Sequence, residues 1–399
     1  MHPNVPPLRF PEFHGEWEKC KLGELAVKVG SGSTPKGGNA VYTTSGHCFV
    51  RSQNVGMGHL ILNDIAYIDE LTHQKQKSTE LRTNDVLLNI TGASIGRTAL
   101  ATEEINGGNV NQHVCIIRTN GNVEPSFICD YIQTSKIQKY IQSLQTGGSR
   151  EGLNFEQIRS FPINIPTVEE QVKIAKLLSL INERIATQSK LIEDLKKLKS
   201  AIIDYAINSL DTDFAKFSSL YEMAGEGGTP TTSNASFYDN GKIPFVKIDD
   251  LKKKYLTENK DFITELGLQK SSAWLVPTRS ILFSNGATIG EITITTYPVC
   301  TKQGILGIVP KPNIDVEFLY YFMSSSYFRK AVSRIVTEGT MKTAYLKDIN
   351  NIRCPIPKKE KQLDIAKMPS ALNFKIDFEQ SILKPFGSQK QYLLRQMFM

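Results

Sequence analysis

The chain has 399 residues, of which 40% are hydrophobic and 22% are charged, and its formal net charge is +7 with a pI near 8.9. This length allows two to three domains with hydrophobic cores, and no apolar run approaches the ~18 residues that a membrane-spanning helix requires. The positive charge favours an acidic partner, nucleic acid first, although many soluble proteins are mildly basic.

The cysteines and the N-terminal residues indicate the cytoplasm. None of the six cysteines forms a Cys-x-x-Cys pair, so neither a zinc site nor a redox dithiol is predicted. Scattered cysteines are typical of a reducing compartment. Residues 1–13 contain no apolar stretch of the kind found in signal peptides. We therefore expect a cytoplasmic protein without a bound metal.

Residues 1–160 are predicted to form a first domain of mixed α/β structure. β-branched runs at 85–90 and 114–118 alternate with turns rich in glycine and asparagine, which is typical of short strands. Apolar residues at helical spacing then predict one helix over residues 125–144.

Residues 161–212 are predicted to contain a long amphipathic helix. Its apolar residues step by three and four and define a heptad seam: Ile174, Leu178, Ile181, Ile185, Ile192, Leu195, Ile202 and Ala206. Gln188 and Lys199 interrupt this seam. A helix from Val168 to Ser209 would be roughly 60 Å long, which is too long to pack wholly inside one small domain.

The second half of the chain repeats this organisation. Residues 213–352 are predicted to form a second mixed α/β domain, with strands at 281–284 and 305–309 and a helix over 318–336. Residues 353–399 are predicted to contain a second long helix. Its seam consists of Ile365, Leu372, Ile376, Leu383, Phe386, Leu393 and Met397, and is interrupted by Glu379 and Lys390.

Short motifs recur between the two halves at an offset that falls from about 196 to about 191 residues. The matching pairs are Gly32–Pro35 with Gly227–Pro230, Phe49–Arg51 with Phe245–Lys247, Gly92–Gly96 with Gly286–Gly290, and Asn111-Gln112 with Lys302-Gln303. Solenoid repeats have periods of only about 20–50 residues. We therefore interpret the chain as a duplicated domain whose two copies do similar jobs.

The polar seam residues favour an antiparallel pairing of the two long helices. In a parallel pair at equal register, Lys199 would face Lys390, which buries two like charges. In an antiparallel pair whose facing residue numbers sum to 578, Lys199 meets Glu379 and Gln188 meets Lys390. A shift of one heptad would place Lys199 against an apolar residue such as Leu372. Alternatively, the polar residues lie at the edge of the seam and specify no register.

No motif for catalysis is found in the sequence. It contains no Walker-type phosphate loop, no His-Glu-x-x-His motif and no Asn-Pro-Pro-aromatic tetrad of an adenine methyltransferase. All six histidines lie in the first half, so the two copies could not share a site built on histidine. We expect a chain that is not an enzyme by itself and that holds no cofactor.

The repeated loops are the candidate nucleic-acid contacts. The glycines at 92–96 and 286–290 fit tight turns in which Ile95 and Ile289 are core residues. Alternatively, the hydroxyl, amide and backbone N–H groups of these turns approach phosphates. The segment 51–54, Arg-Ser-Gln-Asn, carries side chains able to bond base edges. Its counterpart, Lys-Ile-Asp-Asp, differs from it in every chemical respect, which suits two modules that share a scaffold and recognise different bases.

The candidate DNA-contacting residues lie in these loops and beside them. They are Ser33, Lys36, Arg51, Gln53, Asn54, Thr91, Ser94, Arg97, Asn111, Gln112, Arg150, Lys247, Asn285, Thr288, Lys302, Gln303 and Lys342. We interpret His113, which follows Gln112, as a surface or DNA-facing group rather than a metal ligand.

The sequence resembles the specificity subunit of type I restriction-modification systems over nearly its whole length. The resemblance rests on the opening Leu8–Phe13 with Trp17-Glu18, on the two Gly-x-Thr-Pro loops, and on the Glu-x-Gln-x-x-Ile-Ala stretches that begin at Glu169 and Glu360. It implies an α+β fold in which two similar target-recognition domains of mixed α/β structure are separated by two long helices. These helices would form an antiparallel coiled coil with the domains at opposite ends.

The same resemblance implies a function and partners. Each domain would recognise one half of a split, asymmetric sequence in double-stranded DNA, and the subunit itself would do no chemistry. Two modification subunits would methylate adenine with S-adenosylmethionine, and restriction subunits would use ATP and Mg²⁺. The alternatives are a coiled-coil scaffold without DNA specificity and a fragment of a fused recognition methyltransferase.

The second long helix departs from the family pattern. Pro369 falls on a seam position, and Pro385 with Gly387 interrupts the matching helix again. A proline inside a helix costs about 3 kcal/mol, so we expect a kink, or a helix that restarts at Pro369. The segment 211–219 also lacks any copy of the Leu8–Phe13 opening.

Overall fold

The protein consists of two compact units, each built from a mixed α/β region and parts of two long helices. The first unit comprises Met1–Ser189 and Ile382–Met399, and the second comprises Lys190–Ser381. The structure is a computed structural model, and it describes residues 4–37, 41–145, 152–336 and 342–399.

The described chain contains short strands and helices in both units, together with the two long helices. The strands are β1 (Glu18–Lys21), β2 (Ala26–Ser31), β3 (His47–Val50), β4 (Ala66–Ile68), β5 (Val86–Asn89), β6 (Thr98–Leu100), β7 (Asn109–Val110), β8 (Val114–Thr119), β9 (Pro162–Ile165), β10 (Phe214–Lys216), β11 (Tyr221–Glu226), β12 (Ile243–Val246), β13 (Tyr255–Leu256), β14 (Asp261–Ile263), β15 (Ile281–Ser284), β16 (Ile292–Thr295), β17 (Cys300–Thr301), β18 (Ile305–Pro310) and β19 (Arg353–Pro355). The helices are α1 (Leu22–Leu25), α2 (Glu70–Lys75), α3 (Pro125–Gln133), α4 (Ser135–Gln145), α5 (Phe155–Arg159), α6 (Val168–Asn208), α7 (Glu265–Gln269), α8 (Val316–Ser324), α9 (Ser326–Ile335), α10 (Leu346–Ile349) and α11 (Lys359–Gln396).

The first unit contains three sheets, two of which carry the candidate loops. A four-stranded antiparallel sheet has the order β2-β8-β5-β6, a three-stranded sheet has the order β4-β3-β7, and β1 pairs with β9. Strand β5 is buried on both faces: Val86 and Leu88 belong to one apolar cluster, and Leu87 belongs to another. This double burial explains why its sequence is a continuous apolar run rather than an alternating one.

The second unit repeats this topology with one additional strand, β13, in its main sheet. Its main sheet has the order β11-β18-β15-β16-β13, a three-stranded sheet has the order β14-β12-β17, and β10 pairs with β19. Strand β15 spans Ile281–Ser284, as the sequence predicts, and pairs antiparallel with β18. Ile281 and Phe283 pack on one cluster and Leu282 on another, which is the arrangement of β5 in the first unit.

The helix predicted over 125–144 is two helices, as is the one predicted over 318–336. The break falls at Thr134 in the first unit and at Ser325 in the second, and both residues adopt extended backbone angles. Ser325 Oγ donates to the Phe322 carbonyl at 2.6 Å and accepts from the Phe328 amide at 3.2 Å. The hydroxyl therefore ends one helix and caps the next. Such competition between a side-chain hydroxyl and the backbone hydrogen bonds of a helix cannot be detected from apolar periodicity.

Within each unit, the two long helices run antiparallel. In the second unit, Lys199 bonds Asn373, whereas Ile203 and Ile207, further along α6, pack in the cluster of Ile365. In the first unit, the early residues of α6 pack with the last turns of α11 in one core: Ile174, Leu178 and Ile181 with Leu393, Met397 and Phe398. The orientation matches the sequence-based prediction, and a knobs-into-holes coiled coil remains a prediction.

The predicted helix register is wrong, because Lys199 is satisfied by a residue about one heptad away from Glu379. Lys199 Nζ donates to Asn373 Oδ1 at 2.9 Å, and Asn373 Nδ2 donates to Asp377 Oδ2 at 3.1 Å. Glu379 forms an ion pair with Lys375 at 2.5 Å. The helices instead adopt the register that places Lys199 beside Leu372, which the sequence-based prediction excluded. This register is tolerated because the flexible aliphatic chain of Lys199 lets its ammonium reach Asn373, the polar neighbour of Leu372.

The other seam lysine uses the same arrangement. Lys390 Nζ donates to Gln133 Oε1 at 2.9 Å, and Gln133 Nε2 donates to Asp130 Oδ1 at 3.1 Å. Lys390 was predicted to meet Gln188; its bonded partner is instead Gln133, an amide of α3. Burial lowers the pKa of Lys199 and of Lys390. Both units therefore bridge a seam lysine to an aspartate through one side-chain amide.

A third buried lysine ties the α/β region of the second unit to α11. Lys254 Nζ donates to Tyr321 Oη at 2.8 Å and to Ser370 Oγ at 2.9 Å, and it pairs with Glu317. Its ammonium lies 4.6 Å from the centroid of the Tyr321 ring. The hydrogen bonds and the ring face together offset the cost of burying this charge. The aligned position in the first unit is Gly58.

Helix α11 continues through both prolines. It is a single helix of 38 residues that includes Pro369, Pro385 and Gly387. Of the two alternatives that the sequence leaves open, the restart at Pro369 is therefore excluded. A long helix tolerates the lost backbone hydrogen bonds when its apolar residues are packed, as Ile376 and Leu393 are.

Over the described ranges, no helix is both long and apolar enough to cross a membrane, and no cluster of three or more histidine, cysteine or acidic residues could hold a metal ion. The six cysteines are free thiols. Burial raises the pKa of Cys115 and of Cys129 to about 12, so both stay protonated at neutral pH.

Candidate DNA interface

Three loops of the first unit are joined by a chain of polar side chains. The Thr34 amide donates to Gln112 Oε1 at 3.0 Å, Gln112 Nε2 lies 3.1 Å from His113 Nε2, and His113 Nδ1 lies 2.5 Å from Thr91 Oγ1. Because Gln112 Oε1 is the acceptor, its Nε2 donates to the His113 ring, and Nδ1 then carries the proton. The Gly32–Pro35 loop, the Asn111–His113 turn and the glycine turn therefore form one polar surface.

The second unit connects its equivalent loops with backbone groups. The Gln303 amide N–H donates to Thr229 Oγ1 at 3.3 Å, and the Gly304 N–H donates to Glu226 Oε1 at 2.9 Å. The side chains of Lys302 and Gln303 are exposed. The scaffold is thus shared between the units, while the side chains on its surface differ.

Gly32 and Gly227 are required by a close approach of two backbones. A Cβ on Gly32 would lie 1.7 Å from the Val110 carbonyl oxygen, and one on Gly227 would lie 2.2 Å from the Thr301 carbonyl oxygen. Both contacts join a Gly-x-Thr-Pro loop to the turn that contains Gln112 or Gln303. These glycines therefore have a structural role, whether or not the loops contact DNA.

The segment that begins at Arg51 is organised by two acceptors. Asn54 Oδ1 accepts from the Arg51 amide at 3.0 Å and closes the turn. Asp64 Oδ2 accepts from Arg51 Nη2 at 3.2 Å and from Gln53 Nε2 at 2.7 Å. Gln53 and Asp64 are exposed. The bond to Asp64 orients the amide of Gln53, which leaves Oε1 to accept a hydrogen bond and the second N–H of Nε2 to donate one.

The segment that begins at Lys247 has the same design. Asp250 Oδ2 accepts from the Lys247 amide at 2.9 Å, as Asn54 does in the first unit, and Asp261 Oδ1 pairs with Lys247 Nζ at 2.8 Å, as Asp64 does with Arg51. The two segments were predicted to differ in every chemical respect, which is wrong for their first and fourth residues. The chemical contrast between exposed side chains lies at the third residue, Gln53 against Asp249.

Three predicted DNA contacts are buried side chains that shape turns. Asn54 Nδ2 donates to the Ile61 carbonyl at 2.9 Å, and Asn111 Oδ1 accepts from the His113 amide at 3.0 Å. Asn285 Nδ2 donates to the Ala344 carbonyl at 3.2 Å. These amides are at most 6% exposed, so they cannot reach a base edge in this conformation. Asn residues often hydrogen-bond local backbone, a role that the sequence analysis did not consider.

The remaining predicted contacts lie at or near the surface. The exposed ones are Ser33, Lys36, Gln53, Arg97, Gln112, Thr288, Lys302, Gln303 and Lys342, and the half-buried ones are Arg51, Thr91, Ser94 and Lys247. Ser94 Oγ accepts from Asn89 Nδ2 at 3.1 Å, and the same amide donates to the Ser52 carbonyl at 2.8 Å, which links the glycine turn to the Arg51 segment. Arg150 lies outside the described residues.

The glycine turn itself fits its structural interpretation. Gly92 and Gly96 have φ values of 68° and 83°, which favour glycine. Ile95 and Ile289 are partly buried and pack against the main apolar cluster of their respective units.

Four residues outside the predicted contacts also lie in this surface: Thr34, Asp64, Asp249 and Asp261. Asp249 could have been found from its alignment with Gln53. Asp64 and Asp261 could not, because they follow their partners by 13 and 14 residues and belong to no motif.

A family model described as the type I restriction modification DNA specificity domain matches residues 14–197 and again residues 212–384. The chain belongs to this family. The two matches correspond to the two repeats of the sequence, and membership assigns sequence-specific DNA recognition to the chain.

Similar proteins extend over nearly the full length of this specificity subunit. The putative type I restriction enzyme MjaX specificity subunit of Methanocaldococcus jannaschii is 23% identical over 96% of this chain and 93% of its own. The HindI specificity subunit of Haemophilus influenzae is 19% identical over 82% and 86%. The crystal structure of an S subunit from M. genitalium superposes with a TM-score of 0.61 at 16% identity, covering 99% of both chains, which shows a shared fold.

Proposed function

We propose that each unit of this specificity subunit recognises one half of a two-part DNA target. The observation that carries the proposal is the pair of matched segments at Arg51 and Lys247. Both keep the same turn and the same cation–aspartate pair, and both present a different exposed side chain at the third residue, Gln53 or Asp249. A scaffold that is duplicated while its exposed residue changes is what two separate recognition modules require.

The chemistry of the third residue suggests what each half recognises. Asp64 holds one N–H of Gln53, which leaves Oε1 to accept and the other N–H to donate. The carboxylate of Asp249, whose Oδ1 pairs with Lys252 Nζ at 3.0 Å, can only accept. In the major groove, the donors available to such acceptors are the N4 amino group of cytosine and the N6 amino group of adenine. We propose that both residues face one of these amino groups.

Exposed cations around the loops would supply the contacts that carry no sequence information. Lys36 and Arg97 in the first unit, and Lys302 and Lys342 in the second, are exposed and suited to phosphates. Neutralising phosphates releases counterions, so binding should weaken steeply with salt.

The proposal assigns chemistry to partner subunits. The chain would be non-catalytic and cytoplasmic. It would recruit two modification subunits, which bind S-adenosylmethionine, and restriction subunits, which use ATP and Mg²⁺. Support comes from family membership and from the lack of a phosphate loop or methyltransferase tetrad in the sequence.

A methylation experiment tests the two-module proposal. The chain would be expressed with its modification partner as wild type, Gln53→Ala or Asp249→Ala, and the methylated motif would be determined by sequencing. We expect each variant to relax one half of the motif and to leave the other half unchanged. A continuous motif, or a variant that alters both halves, would contradict the proposal.

A further inference from the structure

An N-terminal arm, residues 4–17, covers the junction between α6 and α11 in the first unit. The Leu8 amide donates to the Gln396 carbonyl at 2.9 Å, in the last turn of α11, and the Trp17 amide donates to the Asn4 carbonyl at 2.8 Å. Phe10 packs on the same apolar cluster as Ile174. The arm thereby buries the beginning of one long helix and the end of the other.

Charged side chains hold the arm in place. Arg9 forms two hydrogen bonds with Glu170, from Nε to Oε1 at 2.8 Å and from Nη2 to Oε2 at 2.7 Å. Lys173 pairs with Glu12, and its ammonium lies 4.7 Å from the centroid of the Phe10 ring. Glu170 is fully buried beneath the arm. The arm is thus recognised by an acid and a base one turn apart on α6.

The second unit contains the same helix junction. Gln171 Nε2 donates to the Pro166 carbonyl at 2.9 Å, and its Oε1 accepts from the Glu124 amide at 2.9 Å. Gln362 Nε2 donates to the Pro357 carbonyl at 2.8 Å, and its Oε1 accepts from an amide N–H at 2.7 Å. These identical contacts align the two junctions residue by residue.

None of the described residues forms such an arm over the junction in the second unit, and an open groove of ≈ 730 Å³ lies there. It is lined by residues of α6, of the connection that follows it, and of α11, including Leu210, Ile365 and Met368. Tyr205 and Met368 at its rim are 77% and 58% exposed. Large apolar side chains exposed together around a concave surface are typical of an interaction site.

Two of the four charged residues that line this groove reverse the charges beneath the arm. Alignment through Gln171 and Gln362 places Lys361 where the first unit has Glu170, and Asp364 where it has Lys173. The arm of a second copy of this chain would therefore bring Arg9 against Lys361 and Glu12 against Asp364, two like-charge contacts.

We infer that this groove binds an extended segment of a partner protein that carries an acidic side chain toward Lys361, a basic side chain toward Asp364 and an aromatic ring against Met368 and Tyr205. The ring uses Met368 and Tyr205 because an acid at position 364 cannot replace the cation–ring contact that Lys173 makes.

Two synthetic peptides of residues 4–17 test the inference against the full-length chain. One has the native sequence, and the other carries Arg9→Glu and Glu12→Lys. Binding of fluorescently labelled peptide is followed by anisotropy up to millimolar chain. We expect the charge-exchanged peptide to bind about tenfold more tightly, since two ion pairs replace two like-charge contacts. A chain carrying Lys361→Glu and Asp364→Lys should prefer the native peptide instead.

Two control variants locate the binding site. Met368→Glu, at an exposed position inside the groove, should abolish binding of the charge-exchanged peptide, whereas Lys367→Glu, at an exposed position outside it, should leave the preference intact. The inference is overturned if the native peptide binds the wild-type chain equally well or better, if neither peptide binds, if the preference does not reverse in the exchanged chain, or if Met368→Glu binds normally. The readout does not depend on DNA, so it stands or falls separately from the proposed function.

Discussion

At the scale of single residues, the candidate interface depends on acids that orient its cations and amides. Asp64 accepts from both Arg51 and Gln53, and Asp261 pairs with Lys247. A long side chain held by such a bond loses less conformational entropy when it meets a base. In the proposed interface the carboxylates would also repel phosphates, and would therefore improve discrimination at the expense of overall attraction to DNA.

Asp64→Asn should relax one half of the target without weakening non-specific binding. The asparagine introduced at position 64 can both donate and accept, so it no longer fixes the orientation of the Gln53 amide. Discrimination at the base pair that Gln53 faces should therefore fall by about 1 kcal/mol. The loss of a negative charge should leave affinity for unrelated DNA unchanged or higher. Competition binding with single-base variants of the target measures both quantities. Asp261→Asn is the matched control, because it should change the other half; equal losses at both halves from either variant would contradict separate roles.

Asp130→Asn should remove a pH dependence of stability. Burial raises the pKa of Asp130 to about 7, above its value of about 3.9 in an unfolded chain. A raised carboxyl pKa stabilises the fold fully below the unfolded pKa, and the contribution is lost as the pH rises through about 7. Asparagine is neutral at every pH and can still accept from Gln133.

Urea unfolding at pH 5.5 and 7.5 measures this effect. Relative to the asparagine variant, the wild type should lose about 2 kcal/mol between the two pH values. Asp377→Asn is the control: Asp377 occupies the equivalent place in the lysine–amide–aspartate chain of the second unit, and it is exposed. Parallel pH profiles for wild type and Asp130→Asn would show that the buried carboxyl does not titrate in this range.

At the scale of elements, the two long helices are positioned by polar residues as much as by their seams. Each seam lysine reaches an aspartate through an amide that belongs to α3 in the first unit and to α11 in the second. A buried lysine deprived of its partner is costly. These contacts therefore favour one register over the others that a heptad seam allows.

A charge exchange tests the observed register. Lys199→Glu should destabilise the protein by about 1–3 kcal/mol, because it places a carboxylate beside Asn373 and Asp377. Adding Asp377→Lys should recover much of that loss, since Asn373 can reverse its amide and bridge the exchanged pair. Adding Glu379→Lys should worsen it, because that change breaks the ion pair of Glu379 with Lys375. Thermal unfolding of the single and double variants shows whether Asp377 or Glu379 lies near Lys199. Recovery of stability by Glu379→Lys would support the register predicted from the sequence instead.

At the scale of the whole molecule, duplication makes one chain a pair of recognition modules. The two halves share topology, glycine contacts and helix junctions, and they differ in the exposed residues of the loops and in the charges of the junction grooves. The shared features are those that packing requires, and the differing features are those that a ligand would meet.

Removing one heptad from each long helix should shorten the gap in the DNA target. We expect the helices to set the separation of the half-sites, and seven residues correspond to about 10 Å of helix, or roughly three base pairs. Sequencing of the methylated motif should show a gap shorter by three base pairs between unchanged half-sites. A heptad removed from only one helix should unpair the seam and reduce stability. An unchanged gap in the double deletion would exclude the helices as the spacer.

The duplication, both long helices and the main strands follow from the amino-acid sequence alone, because they depend on apolar periodicity and on repeated motifs that are local in the chain. The helix register, the burial of Asn54, Asn111 and Asn285, and the contact of Arg9 with Glu170 become visible only in the folded chain. Such contacts join residues far apart in sequence. Each side chain bonds the polar group that it can reach once the backbone is packed. The distances between such groups cannot be read from the order of residues in the sequence.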